Sequence, residues 1–350
     1  MSVIKKHIQE LSSYKPPIEG RRNNENLLLD FNERTVPVSP EIEQALCDLA
    51  TGKLLQVYPS YGKLVERLAE HSKVAPECLM ITNGSDQGIE VIIRACCSAG
   101  EEVIIPAPSF AMYSQAAGVE NLKIVSPKYS IDGGYPTDEI LKLANNNTSL
   151  IVASNPNNPT GTPIEIEEIL VIAKSVPQAA ILVDECYFEY TDVTVKDYVE
   201  QYPNLFICRT FSKTWGLPSL RLGTIISAAE NIDHLLKVRG PYDVNQFAET
   251  AVTAAIANPS YMEVFVKEVL EESKPLLESF LKSKGIAFWP SVANFILTLP
   301  ENPGEVSDKL ASRNILTRPR VDPSGKAALR ISIGTLEQTK RLISALEEIL

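Results

Sequence analysis

Ala180-Ile181-Leu182-Val183-Asp184, then Leu205-Phe206-Ile207-Cys208, then Phe211-Ser212-Lys213-Thr214-Trp215-Gly216 are the stretches on which the reading of this chain turns. The two apolar runs are short, and each is followed at once or within a few residues by a chemically active side chain, Asp184 or Lys213. Short apolar runs of this kind read as strands buried on both faces, as in a parallel sheet covered by helices. Similar runs occur at 79–82, 102–105, 123–125, 150–153 and 223–226. Helical periodicity lies between several of them, at 86–98, 137–145 and 166–175. The expected fold is therefore α/β, with a large domain built on a mostly parallel sheet. In such sheets ligands bind beyond the carboxyl ends of the strands, and Asp184 and Lys213 stand there.

The pattern changes after about residue 245. Residues 246–284 read as largely helical, with a break near Asn258-Pro259. Strand-like runs at 293–299, 315–318 and 328–333 alternate with helical patterns at 305–313 and 336–350. This predicts a smaller α+β domain over 246–350 beside a large domain over 41–245. The N-terminal segment, 1–40, is expected to pack on the small domain. Its Leu27-Leu28-Leu29 is apolar but too short to form a core alone.

With 350 residues and 44% hydrophobic composition, the chain is long enough for two such units. Its formal charge of −11 leaves no footprint for nucleic acid. No apolar stretch is long enough to cross a bilayer, and the first residues lack the apolar core of a signal peptide. A cytoplasmic protein with no membrane partner is the expectation. The six cysteines form no C-x-x-C pair and read as free, buried thiols. The three histidines, His7, His71 and His234, are far apart, so neither a metal site nor a Ser-His-Asp triad is supported.

The chemistry is carried by an amine, an acid and a guanidinium. Lys213 is followed by Arg221 in Leu220-Arg221-Leu222-Gly223 and preceded by the buried acid Asp184. A pyridoxal phosphate site needs these three: a lysine for the Schiff base, an acid at the pyridine nitrogen, an arginine at the phosphate. Asn83-Gly84-Ser85-Asp86 joins a strand to a helix, where glycine and free N–H groups admit an anion. Ser154-Asn155-Pro156-Asn157-Asn158-Pro159-Thr160-Gly161 forces a turn-rich path at another strand end, where an Asn amide can donate to a phenolate. Tyr187 follows Asp184 closely enough to reach the same ligand.

These motifs, in this order, resemble the fold-type I pyridoxal-phosphate aminotransferases, the histidinol-phosphate aminotransferases most of all. Pro108-Ser109-Phe110-Ala111-Met112-Tyr113 and Leu329-Arg330-Ile331-Ser332-Ile333-Gly334-Thr335 extend the likeness over nearly the whole chain. The resemblance implies that Lys213 carries the cofactor, with Asp184 on the pyridinium nitrogen and Tyr187 and Asn158 on the ring oxygen. It implies that Phe110 stacks on the ring, and that Gly84, Ser85, Asp86, Ser212 and Arg221 form the phosphate cup. Tyr58 matches a tyrosine that reaches a neighbouring subunit's cofactor, so a homodimer is implied. Tyr14, Asn32, Arg318 and Arg330 fall where the family meets its substrate. The implied reaction moves an amino group from histidinol phosphate, or a similar donor, to 2-oxoglutarate. An aromatic amino-acid aminotransferase and a decarboxylase of a phosphorylated amino acid share Lys213 and Asp184 and stay open. One loop departs: where the family carries Asn-Glu-Asn-Pro before a glycine, this chain reads Asn32-Glu33-Arg34-Thr35-Val36-Pro37.

Overall fold

A computed structural model describes residues 2–23, 25–130, 132 and 134–350. The chain begins with a short helix α1 (Lys6–Glu10) and a two-residue strand β1 (Leu27–Leu28). Helices α2 (Pro40–Thr51) and α3 (Gly62–Ser72) follow, then strand β2 (Leu79–Thr82) and helix α4 (Gly84–Cys96). Next come β3 (Glu102–Ile104), α5 (Ala111–Val119), β4 (Lys123–Val125), α6 (Thr137–Leu143), β5 (Thr148–Ser154), α7 (Ile166–Ser175) and β6 (Ala180–Asp184). Strands β7 (Leu205–Thr210) and β8 (Gly223–Ile226) precede helices α8 (Ala229–Val238), α9 (Gln246–Ala257) and α10 (Ser260–Glu268). A π-helical turn, Val269–Ser273, leads into α11 (Lys274–Ser283). The chain closes with β9 (Ala287–Phe288), β10 (Phe295–Leu299), α12 (Pro303–Ala311), β11 (Ile315–Leu316), β12 (Arg318–Val321), β13 (Ala327–Ser332) and α13 (Leu336–Ile349).

Seven strands form one sheet in the order β2-β8-β7-β6-β5-β3-β4. Only β8 runs against its neighbours, pairing antiparallel with both β2 and β7. The sheet is thus mostly parallel, as the apolar runs predict. The strands β5 and β6 are buried along their whole length, which explains why they alternate so little. The reversal at β8 has a consequence: the loop from Thr210 to Gly223, which carries Lys213, returns at the carboxyl end of the sheet. The carboxyl ends of β2, β3, β5, β6 and β7 all open on that side.

Strands β12-β13-β10-β9 form a second, antiparallel sheet. The expected single strand at 315–318 is in fact two. Ile315–Leu316 pairs in parallel with Leu27–Leu28, whereas Arg318–Val321 pairs with β13. The N-terminal segment therefore joins the smaller sheet's side through β1, with Ser332 donating its N–H to Leu29 O. Its first helix lies elsewhere: Leu11 packs against Gly118 of α5, and His7 Nε2 contacts Val119 O at 3.1 Å. The helix after residue 245, α9, packs on α2. Its Ala248, Ala251, Val252 and Ala255 share one core with Ile42, Leu64 and Leu68.

Local signals account for several helix starts. Pro40 opens α2 with Glu41 and Glu43 in its first turn, where acids complement the helix dipole. Asn245 caps α9 by accepting from the Ala248 N–H. Helix α5 escapes the apolar-run pattern because Ala111-Met112-Tyr113-Ser114-Gln115-Ala116-Ala117-Gly118-Val119 is small and weakly sided. All six cysteines are free, but only Cys78, Cys186 and Cys208 are buried, and Cys47 is exposed. Among the described residues no helix is long and apolar enough to cross a membrane.

Helix α13 is held by a capping box in which Thr335 accepts from the Gln338 N–H and the Gln338 side chain returns to the Thr335 N–H. Thr335→Ala is expected to lower unfolding free energy by about 1 kcal/mol, measured by urea denaturation. A change indistinguishable from zero would mean that the box adds nothing to packing.

Candidate active site

The strand ends assemble one cavity of about 510 Å³, its open mouth included. Ser85 and Asp86 come from the turn after β2, Phe110 from the loop after β3, and Ser154 and Asn158 from the end of β5 and its loop. Asp184 ends β6, with Cys186 and Tyr187 just beyond it. Thr210, Ser212, Lys213 and Arg221 come from β7 and the loop that returns to β8.

Asp184 is buried and lies within hydrogen-bonding reach of two donors. Its Oδ1 accepts the Cys186 N–H at 3.0 Å, and its Oδ2 accepts the Tyr113 hydroxyl. No lysine or arginine pairs with it among the described residues. Burial pushes the Asp184 carboxyl above the usual carboxylate range, while hydrogen bonds from Cys186 and Tyr113 pull it down. A buried acid that faces a cavity and has no cation paired with it is suited to a cationic ligand. Tyr113 keeps its proton, because burial and then the Asp184 charge push its hydroxyl well above its ordinary value.

At one end of the cavity Arg221 sits in the left-handed region, φ 58°. Its Nη2 donates to Asp86 Oδ2 at 2.8 Å and its Nη1 lies 3.4 Å from Ser212 Oγ. Gly84, φ +74°, allows that approach, since a Cβ there would overlap the guanidinium. The first N–H groups of α4 open beside it. Backbone donors and an arginine at a helix start form an anion cradle.

At the other end Tyr187 receives two amides at its hydroxyl, Asn32 Nδ2 at 2.9 Å and Asn158 Nδ2 at 3.3 Å. Asn158 Oδ1 in turn accepts from Arg330 Nη1 at 2.6 Å, and Arg330 Nη2 donates to Asp30 O at 2.6 Å. Lys213 Nζ lies 5.9 Å from the Tyr187 ring centre and donates to Phe31 O at 2.9 Å. The lysine, Asp184 and Arg221 thus line a single cavity, as expected from their strand-end positions.

Of the residues expected at the substrate, Arg330 and Arg318 are buried. Arg318 lies over the Phe31 ring, 5.0 Å from its centre. Tyr14 lies beside Arg320. Asn32 is buried with its polar groups occupied. Its N–H and Oδ1 meet Ser332 Oγ at 2.9 Å, its Nδ2 holds Tyr187, and its carbonyl accepts from Asn294. Its place in this structure is to orient Tyr187. Tyr58 does not reach its own chain's cavity. It is 74% exposed and stacks on Tyr242 with ring centres 4.3 Å apart.

Sequence reasoning assigned no role to Tyr113, Cys186, Ser154, Thr210 or Arg320. A usable signal existed for Tyr113: it follows Phe110, the residue before α5, by one helical turn, so both rings reach the same side. Their ring centres lie 5.7 Å apart. Among the described residues no cluster of His, Cys, Asp and Glu could hold a metal ion.

Residues 24–346 match the aminotransferase class I and II family. The chain belongs to that family. A histidinol-phosphate aminotransferase of Dehalococcoides mccartyi is 34% identical, the alignment covering 96% of this chain and 94% of that protein. The crystal structure of histidinol-phosphate aminotransferase from Sinorhizobium meliloti, in complex with pyridoxal 5'-phosphate, superposes with a TM-score of 0.89 at 22% identity, covering 100% of this chain and 98% of that one. L-threonine-O-3-phosphate decarboxylase from Porphyromonas gingivalis shares the fold at a TM-score of 0.79 and 23% identity, covering 92% and 99%. The residues present fit pyridoxal phosphate. An unanswered acid, an amine and an anion cradle open on one space.

Tyr113→Phe removes a hydrogen-bond donor that favours the ionised form of Asp184. Asp184 should then bind its proton more tightly, and affinity for pyridoxal phosphate should fall about tenfold at neutral pH. Affinity that depends on this carboxylate should be lost as pH falls through the Asp184 pKa, and in the variant that loss should begin at a higher pH. Absorbance titrations of the apoprotein across pH check both. Identical affinity and pH profile would remove Tyr113 from the site.

Proposed function

We propose that this family member is a pyridoxal-phosphate-dependent aminotransferase whose amino donor carries a phosphate, histidinol phosphate being the first choice. The acceptor in this reading is a 2-oxo acid such as 2-oxoglutarate. The observation that carries it is an arginine face on the small sheet. Arg318 stands directly opposite Arg330 across the β12–β13 ladder, and Arg320 lies on the same face two residues on. Like charges placed opposite each other are destabilising. None of the three has a carboxylate partner among the described residues. Arg330 is pushed down to about 10, first by burial and then, among other neighbouring charges, by Arg320 and Arg318. A dianion relieves this repulsion better than a single carboxylate and matches the guanidinium forks. The Dehalococcoides relative bears the corresponding name.

Bound pyridoxal phosphate supplies an electron sink for the charge left at the donor's α-carbon when a proton leaves it. In this reading Asp184 keeps a proton on the ring nitrogen, the opposite charge favouring that form. Tyr187 and Asn158 meet the ring oxygen, and Phe110 covers one ring face. Gly84, Ser85, Asp86, Ser212 and Arg221 hold the phosphate at the start of α4, with Asp86 fixing the Arg221 fork. Lys213 anchors the cofactor through its amine. Its free Nζ would serve as the base that takes the donor's α-proton. Arg330, Arg318 and Arg320 orient the donor through its phosphate.

A second copy of the chain completes the site in this proposal. Leu54, Leu55, Val57 and Tyr58 are all exposed, and Tyr58 stacks on the exposed Tyr242. Tyr58 is assigned to the partner's cofactor phosphate. Tyr58→Phe should therefore weaken cofactor retention by a few-fold, the scale of one hydrogen bond, in dialysis against buffer. Unchanged retention counts against the shared site.

Half-reaction spectra of the holoenzyme test the donor. Histidinol phosphate should convert the cofactor's absorbance, while phenylalanine should do so poorly. Arg318→Gln should raise KM for histidinol phosphate about tenfold, the worth of one charged hydrogen bond. Conversion by phenylalanine but not by histidinol phosphate would overturn the phosphate reading. Release of carbon dioxide from phosphothreonine without amino transfer would replace it with the decarboxylase.

A further inference from the structure

The departure at Arg34 has a structural meaning of its own. Arg34 does not line the cavity. Its side chain turns beneath the loop that carries Lys213. The guanidinium lies between two rings of α10, 4.9 Å from the centre of Tyr261 and 4.6 Å from that of Phe265. Its Nη2 donates to Tyr261 O at 3.1 Å, and its Nη1 makes a long 3.5 Å contact with Thr214 O. Its aliphatic stem fills the space at Gly216. A Cβ on Gly216 would stand 2.8 Å from Arg34 Cδ, and Gly216 itself has φ +70°. Glycine is needed there for both reasons.

Around this cation the Lys213 turn is fastened residue by residue. Gly216 N–H donates to Lys213 O at 3.1 Å. Trp215 Nε1 donates to Glu189 Oε1 at 2.6 Å, and Trp215 O accepts the Tyr261 hydroxyl at 2.9 Å. Glu189 is half-buried against the same turn, and burial raises its carboxyl above the ordinary range. Arg34 has no carboxylate partner within ion-pair distance among the described residues. A half-buried cation held only by two carbonyls and two aromatic faces is a costly element unless its position matters. From the same loop, Phe31 O accepts the Lys213 amine and Asn32 holds Tyr187.

We infer that Arg34 is a positioning residue for Lys213, clamping the turn of residues 213–216 between the N-terminal loop and α10. It acts through the backbone at Thr214 and Gly216 and touches neither substrate nor cofactor. It sets the angle at which the lysine enters the cavity. The inference rests on Lys213 being the cofactor-bearing residue.

The test uses purified holoenzyme. Wild-type protein is measured first, for cofactor content and turnover, so that failure of the underlying reading shows itself before any variant is compared. Arg34→Gln is then expected to retain bound cofactor. Its kcat should fall about tenfold, a loss equivalent to ~1.4 kcal/mol, while KM for the donor stays within about twofold. The visible circular dichroism of the bound cofactor, which reports its seating, should change in amplitude. Tyr261→Phe removes the hydroxyl donor to Trp215 O and leaves an aromatic face under Arg34. It should move kcat and the dichroism in the same direction by a smaller factor, and it decides the matter if Arg34→Gln does not fold. Wild-type kcat and dichroism in the folded variants, whatever their melting temperature, would overturn the inference. A rise in KM alone would also overturn it, by placing Arg34 in substrate binding.

Discussion

A carboxylic acid buried at the end of a central strand, with no cation paired to it among the described residues, is the constraint around which this molecule is arranged. Asp184 stands at the end of β6, below the cavity, with only a tyrosine hydroxyl and its own turn as donors. Burial raises its carboxyl, so holding it ionised requires a positive partner. Neither β5 nor β6 carries a lysine or arginine, and Arg209 of β7 is engaged by Glu185. It must arrive through the cavity. The acid thus creates a demand for a cationic ring, and Lys213 and Arg221 lie where they can fasten the rest of the same molecule.

The N-terminal loop, residues 30–34, connects this core site to the second sheet. Asp30 O accepts from Arg330, Phe31 O from Lys213, and Asn32 reaches Tyr187 and Ser332. Arg21 holds the loop from outside through a two-point contact with Asp30, at 2.8 and 2.9 Å, and a further contact with Glu33. Arg34 continues the loop under the Lys213 turn. Four of these five residues thus touch Lys213, Tyr187, Arg330 and α10, while Glu33 meets Arg21. None of the five lines the cavity itself; they lie behind it.

The large sheet and the acid–amine–guanidinium set were legible because buried parallel strands are short apolar runs whose ends present the chemistry. Their position made Asp184 and Lys213 candidates with Arg221, and the motif resemblance supplied the roles assigned to them. The motif resemblance led to Asn158, Phe110 and the phosphate cup, which the structure brings to the same cavity. Tyr113 was not legible as a partner of Asp184, because its role depends on how α5 docks, a long-range fact. Arg320 was hidden for a similar reason: only the β12–β13 register places it on the face of Arg318. The split between β11 and β12 is equally a matter of partners, since residues 315–321 pair with two different strands. The direction of the Arg34 side chain follows from the close approach of Gly216, which no one-dimensional pattern reveals.

The central claim is that Lys213 carries the cofactor opposite Asp184. Borohydride reduction of the holoenzyme, followed by proteolysis and mass spectrometry, tests it most directly. One reduced pyridoxyl group should appear on the peptide containing Phe211-Ser212-Lys213, and none on Lys213→Ala. A label on another lysine, or no label on protein saturated with pyridoxal phosphate, would contradict the account.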